Sequence, residues 1–336
     1  MKEVKLLRII FVATLLATSF ALNAQDSLKI DYFKFKGYIQ GGFNIDDEGD
    51  NTFYLKRAVL TLSGDLFKKN ESTVDYQFMV NMAGSPGILE LWVRYSPVRE
   101  FGMQIGQFKI PLTIENTDYS PTTIEMIEYS LPVEKMARSG SDVTGINTSG
   151  RDIGFKLFGS LLHRENHSLI SYDIGLFNGN GTNRRDDDGR KDLIARLKIS
   201  PIRYLTIAGY YQNGTVKADH IEGNILTRYG GGISFDNNKI MCRSEYISGH
   251  TGKMLSEGAY LTSGYWITDK VMALGRADYF KLDKALDNNE IYYTLGLLYT
   301  PWKNLRLQFN YTLKEFSYTA DKSYGSLFNF MATAMF

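Results

Sequence analysis

Side chains of like polarity recur at every second position along most of this chain, and that period limits what it can fold into. In the last stretch Phe328, Phe330, Ala332, Ala334 and Phe336 share one phase, and Asn329, Met331, Thr333 and Met335 the other. Leu305, Leu307, Phe309 and Tyr311 oppose Arg306, Gln308, Asn310 and Thr312 in the same way. Ile291 to Tyr299, Val74 to Met82 and Leu89 to Tyr95 repeat the pattern. Successive side chains of an extended chain point to opposite faces, so this period gives strands with one apolar face. About sixteen such segments can be drawn. They lie near 32–43, 53–66, 73–83, 88–96, 101–109, 152–160, 168–177, 191–200, 203–213, 226–235, 239–248, 257–267, 270–281, 290–300, 304–314 and 324–336. A comparable helical period is confined to the N-terminus and one loop.

An apolar strand face is buried either against a second sheet or in lipid. The N-terminus favours lipid. Lys2, Lys5 and Arg8 precede the apolar run Ile9–Leu22, and Ala24 offers a cleavage point. A basic start, an apolar run too short to span and a small residue at the cut describe a secretory signal peptide. The expectation is a cleaved segment 1–24 and a single mature domain, 25–336. The 38 basic and 37 acidic residues of the 336 leave no cationic excess for nucleic acid. The single cysteine, Cys242, excludes a disulfide framework, and its apolar phase makes it a small hydrophobe. Mean hydropathy of −0.23 is no obstacle to a membrane barrel, because alternation dilutes the signal.

The connections sort by parity. One turn recurs at Ser96-Pro97-Val98-Arg99, Ser200-Pro201-Ile202-Arg203 and Thr300-Pro301-Trp302-Lys303, each after an even-numbered segment. The longer polar connections, such as Asn44–Asn51, Asn178–Arg190 and Gln212–Ile225, follow odd ones. Short turns on one side and long loops on the other are the periplasmic and extracellular ends of an outer-membrane barrel. The terminal Phe336, with apolar residues at every second position before it, presents itself as a signal to the barrel assembly machinery. The expected fold is therefore all-β, a transmembrane antiparallel β-barrel of about sixteen strands.

Several stretches carry a family resemblance. Phe53-Tyr-Leu-Lys56-Arg57-Ala58 with Leu60 and Gly64, and Ile105-Gly106-Gln107-Phe108-Lys109-Ile110-Pro111, resemble segments of the phosphate-selective porin O and P family. So do Ile124–Ser130 with Arg138, Arg151-Asp152-Ile153-Gly154, Gly175–Gly181, and Ala195-Arg196-Leu197 before Pro201. They occur in order from about residue 33 to the C-terminus. The resemblance implies a sixteen-stranded barrel, commonly trimeric, that passes small anions by diffusion. It also implies that the long third extracellular loop, Ile110–Gly150, folds into the lumen. Within that loop Thr122–Met136 is expected to form a short helix after Pro121.

Residues opposite the apolar phase should line the channel: Arg57, Asp75, Glu90, Arg94, Arg196, Glu245, Asp278 and Arg306, with Arg276 and Lys156 beside them. Candidates for a constriction in the loop are Glu115, Asp118, Glu125, Glu128, Lys135 and Arg138. With Glu134 and Asp142 the loop holds six acids against two bases, an unpromising balance for a strong phosphate site. Enzyme signals are poor. His163 and His167 fall in a turn between strands, Asp186-Asp187-Asp188 reads as a solvated loop, and no nucleophile or phosphate-loop motif occurs. The expectation is an outer-membrane porin for small hydrophilic solutes and ions, including anions such as phosphate. It would have no cofactor or metal, and its partners would be outer-membrane lipid, lipopolysaccharide, the assembly machinery and two further copies of itself. The competing classes are a barrel enzyme of the protease or lipase kind and a structural or adhesin barrel.

Overall fold

The computed structural model describes residues 31–218, 221–286, 288–318 and 321–336. The segment 1–24, expected to be a signal peptide, lies outside the described residues. Sixteen strands follow one another: β1 (Lys34–Asp46), β2 (Asn51–Lys69), β3 (Ser72–Asn81), β4 (Gly87–Val98), β5 (Phe101–Lys109), β6 (Arg151–His163), β7 (Ser168–Phe177) and β8 (Asp192–Ile202). The second half comprises β9 (Leu205–Thr215), β10 (Ile225–Asp236), β11 (Ile240–Thr251), β12 (Met254–Thr268), β13 (Val271–Lys281), β14 (Asn288–Trp302), β15 (Leu305–Tyr318) and β16 (Asp321–Met335). Two short helices, α1 (Ile114–Asp118) and α2 (Leu131–Met136), lie between β5 and β6. No helix among the described residues is long and apolar enough to cross a membrane, which says nothing about strands.

Every strand pairs antiparallel with its sequence neighbours, and β1 closes on β16 with Tyr38 opposite Met335 and Gln40 opposite Thr333. Closure follows from the solvent: hydrocarbon supplies no partner for an open edge, so every ladder must end on another strand. At the seam Phe336 and Gly37 exchange backbone hydrogen bonds of 3.0 and 2.9 Å. The Phe336 ring covers Gly37 so closely that a Cβ there would meet it at 2.4 Å. In β8 Leu193, Leu197 and Ile199 are exposed on the outside, while Asp192, Ile194 and Arg196 are buried inside. Rows like this around the barrel, with Leu295 72% exposed, make an apolar exterior that only lipid would cover.

Several strands run further than the apolar pattern. The segment expected at 53–66 is Asn51–Lys69, and that at 304–314 is Leu305–Tyr318. Ladders continue past the apolar band, where outward residues need not be apolar, so hydropathy underestimates strand length. Pro97, Pro201 and Pro301 sit one residue before the ends of β4, β8 and β14, at register shifts after Tyr95, Ile199 and Tyr299. A residue without an amide hydrogen is harmless where the ladder is already interrupted. Long connections follow β5, β7 and β9, whereas Thr251 to Met254 is an odd-side connection as short as the turns.

The helix expected over Thr122–Met136 is confined to Leu131–Met136. The wall takes the backbone groups that a longer helix would use. Arg306 and Gln308 donate to Ile124 O, Gln308 also to Glu125 O, and Arg276 to Glu128 O, while the Ile127 and Leu131 amides donate to Asn310 and Asp278. Tertiary bonds outbid local propensity there, and Pro132 then fits the first turn of α2, where its missing N–H costs nothing.

Candidate channel constriction

The connection between β5 and β6 does not leave the barrel; it crosses the lumen. Its root is pinned by Arg138, whose guanidinium donates to Asp152 at 2.8 Å and to Asp192 at 2.7 Å. All three side chains are almost fully buried. The Gly179 amide and Gln212 donate to the same two oxygens, and the Ile153 and Thr215 amides to the other oxygen of each carboxylate. The Asp142 carboxylate accepts from the Arg138 amide. One charge between two acids, with the remaining lone pairs filled, is the arrangement that makes a buried ion cluster tolerable.

Beyond the root, the loop packs on one arc of the inner wall. Ile110, Leu112, Ile124, Leu131, Val133 and Met136 join Phe177, Ile194, Tyr210, Ile247, Tyr260 and Phe280 in one buried apolar cluster. Those wall residues come from β7 to β13, so this side of the lumen is filled like a protein core. Glu245 fastens α1 to it, accepting from the Glu115 amide at 2.9 Å, from the Ile114 amide and from Tyr260 Oη at 2.8 Å.

Every loop acid but Glu134 meets a wall group or loop backbone. Arg243 pairs with Glu115 at 3.2 Å and Glu125 at 2.9 Å and lies 3.9 Å over the Tyr119 ring. Asp118 pairs with Arg196 at 2.8 Å and Lys198 at 3.2 Å; Glu128 pairs with Lys56. Lys135 pairs in turn with Glu290 of β14 at 3.5 Å. The acid count of the loop is thus largely cancelled by bases from the wall. Glu134 is the exception, reaching the edge of a small cavity of ≈ 130 Å³ with Glu128, Arg276, Asn310 and Lys314. Burial, reinforced by Glu128, pushes its carboxyl up to about 8.

The wall residues singled out from the alternation all lie on the inner face. Asp75 pairs with Arg94, and Lys156 and Arg196 share Asp173. Glu90 accepts from Arg151 at 2.9 Å, Gln77 at 2.8 Å and Trp92 at 3.0 Å. Arg276 donates to Asp278 at 2.7 Å and to Glu128 O at 2.8 Å, and Arg306 to Ile124 O at 2.7 Å. Arg57 donates to Gln40 Oε1 at 3.0 Å. Lys36, Lys56, Lys109, Arg151 and Arg243 were not anticipated. Arg243 was legible, since it shares the phase of Glu245 two residues on.

Opposite the filled arc a gap of ≈ 510 Å³ remains between loop residues 117–123 and the inner wall of β1 to β6. Lys36, Tyr38, Thr61, Gln77, Lys109 and Arg151 line it. The Lys109 ammonium donates to the carbonyls of Asn116, at 2.6 Å, and Tyr119. Arg57, Arg151, Glu90 and Asp118 lie within its electrostatic reach. Both acids are already paired, whereas among the described residues Lys36, Arg57 and Lys109 form no ion pair with a carboxylate. Asp186, Asp187 and Asp188 sit elsewhere, in the exposed connection after β7, with Lys191 on Asp186.

A closed sixteen-stranded barrel narrowed by an inward loop defines the class: a porin of the Gram-negative outer membrane. The chain belongs to the phosphate-selective porin O and P family, whose model matches residues 27–232. Solved structures share the fold at low identity. An anion-selective porin from Comamonas acidovorans superposes with a TM-score of 0.71 at 10% identity, over 91% of this chain and 100% of the other. OmpF of Salmonella typhi, solved with daunomycin, gives 0.70 at 12% identity over 91% and 98%. OmpT of Vibrio cholerae gives 0.68 at 9% identity over 94% and 100%. No curated protein matches by sequence.

Proposed function

We propose that this porin passes small anions, inorganic phosphate among them, by passive diffusion through the gap beside the loop. The observation that carries this is the unpaired basic charge there: Lys36 and Lys109 line the gap and Arg57 stands on the inner wall near it, none of them paired with a carboxylate, while the acids of the gap are held by other bases. An anion crossing a narrow wet passage exchanges part of its hydration for such donors. The bases are spread along the wall and Lys109 is engaged by two carbonyls, which supports a general anion preference over a single tight phosphate site. Recording the purified protein in planar bilayers under a KCl gradient tests this: the reversal potential should carry the sign of chloride preference, and a potassium-selective channel would contradict it.

The same reading takes residues 1–24 as a cleaved signal and 110–150 as the third extracellular loop. It takes Phe336 as the residue read by the barrel assembly machinery, and the working form as a trimer set in lipid and lipopolysaccharide. It makes the protein a channel and not an enzyme, supported by the family. Nucleic acid, metal and cofactor have no part in it.

A further inference from the structure

Strand β2 carries an irregularity where two bases are adjacent. Opposite it, β1 pairs Gln40 with Arg57 and Gly41 with Leu55, so Lys56 is the extra residue of a β-bulge. Before the bulge Leu55 faces out, 56% exposed, and Tyr54 faces in, its hydroxyl donating to Asn329 at 2.6 Å. After it Val59 is buried inside and Thr61 lines the gap. Lys56 itself points inward, donating to Ile127 O at 3.3 Å and to Glu128 on the loop. Arg57 points inward as well, onto Gln40. A regular strand with Lys56 inside would have turned Arg57 into lipid, where a guanidinium has no counterpart.

The two bases face different surroundings. The Lys56 ammonium is mostly covered and is spent on Glu128. Arg57 meets a neutral amide and no carboxylate, and because it stands on the inner wall its remaining exposure is to the lumen. We infer that the bulge at Lys56 places two consecutive bases in the channel, Lys56 cancelling Glu128 and Arg57 serving as a specificity-determining cation for passing anions. This rests on the anion-passing function proposed above. Lys56 acts through Glu128 and is a positioning residue; Arg57 acts on the permeant ion. What governs selectivity is then the summed charge of Lys56, Arg57 and Glu128.

Reversal potentials in a KCl gradient, measured on full-length barrels checked for heat-modifiable mobility, test this summed charge. R57Q should lower the chloride-to-potassium permeability ratio roughly threefold, the order expected of one unit charge in a wet passage. K56Q should lower it equally by baring Glu128. Deleting Lys56, which straightens the strand and leaves one base facing one acid, should match both. E128Q should exceed wild type, K56Q/E128Q should return to the wild-type value, and R57K and K56R should hold it. An anion-selective wild type whose ratio is unchanged by R57Q would overturn this inference alone, as would a K56Q/E128Q channel that stays at the K56Q value. A potassium-selective wild type would instead overturn the function proposed above.

Discussion

Strands β1–β5 and strands β7–β13 present the same alternating apolar rows to the outside, yet to the lumen the first leaves bases beside open space while the second packs apolar side chains and loop-bound charges under the loop. The inner face of the first arc carries Lys36, Thr61, Gln77 and Glu90, bordering open space, with Gln40, Lys56 and Arg57 on the same face. That of the second carries Phe177, Ile194, Tyr210, Ile247, Tyr260 and Phe280, sealed by the loop. The exterior is dictated by lipid and is uniform around the barrel. The interior is free to differ, and that freedom turns a wide barrel into a narrow off-centre passage. The apolar arc holds the loop and the polar arc meets the solute.

The severest challenge to that division is to remove what fills the apolar arc. Replacing residues 113–148 by a short Gly/Ser bridge should leave a folded barrel, since the ladders close without the loop, and raise single-channel conductance severalfold. An unchanged conductance would mean that the loop does not limit flow.

A smaller disturbance cuts only the root. Arg138→Met leaves Asp152 and Asp192 buried without their cation, a loss on the order of 3–5 kcal/mol for a broken buried pair. The loop should then detach intermittently, giving noisy openings of higher conductance with heat-modifiable mobility retained. Quiet wild-type openings would show that the apolar cluster alone suffices.

The smallest effect expected concerns pH. Glu134 faces the lesser cavity, and burial and Glu128 hold its carboxyl up to about 8. A folded-state value above the ordinary 4.5 means that the proton is kept at neutral pH and lost as pH rises through about 8. The chloride-to-potassium permeability ratio should therefore fall modestly between pH 6 and pH 9, and E134Q should flatten the profile. A wild-type profile already flat would show that the charge of Glu134 does not reach the passing ion.

Much of this was legible before any coordinates. Alternation marks the strands, the parity of connections separates the two ends, and phase puts Arg57, Glu90, Arg196, Glu245 and Asp278 inside. The filling of one arc was not. Leu193, Ile194 and Leu197 read as one apolar stretch, and nothing local says that Ile194 faces a loop while its neighbours face lipid. The cancelled acids were illegible for a related reason. Arg243 meets Glu115 and Glu125 across more than a hundred residues, so a charge count of the loop alone misrepresents what an ion meets. The Lys56-Arg57 pair did carry a signal: two adjacent charges in a lipid-facing strand cannot both face inward unless the strand bulges.

The central claim, that ions travel along β1–β5 and not along β7–β13, is tested most directly by charged thiol reagents. With Cys242, which lies on the outward phase, replaced by alanine, single cysteines at Thr61 and Gln77 border the open gap, and those at Ile194 and Phe280 lie under the loop. A negatively charged methanethiosulfonate should cut the bilayer current quickly at Thr61 and Gln77 and leave the Ile194 and Phe280 variants conducting as before. Equal block at Ile194 would contradict the account, because it would put the passage through the arc described here as sealed.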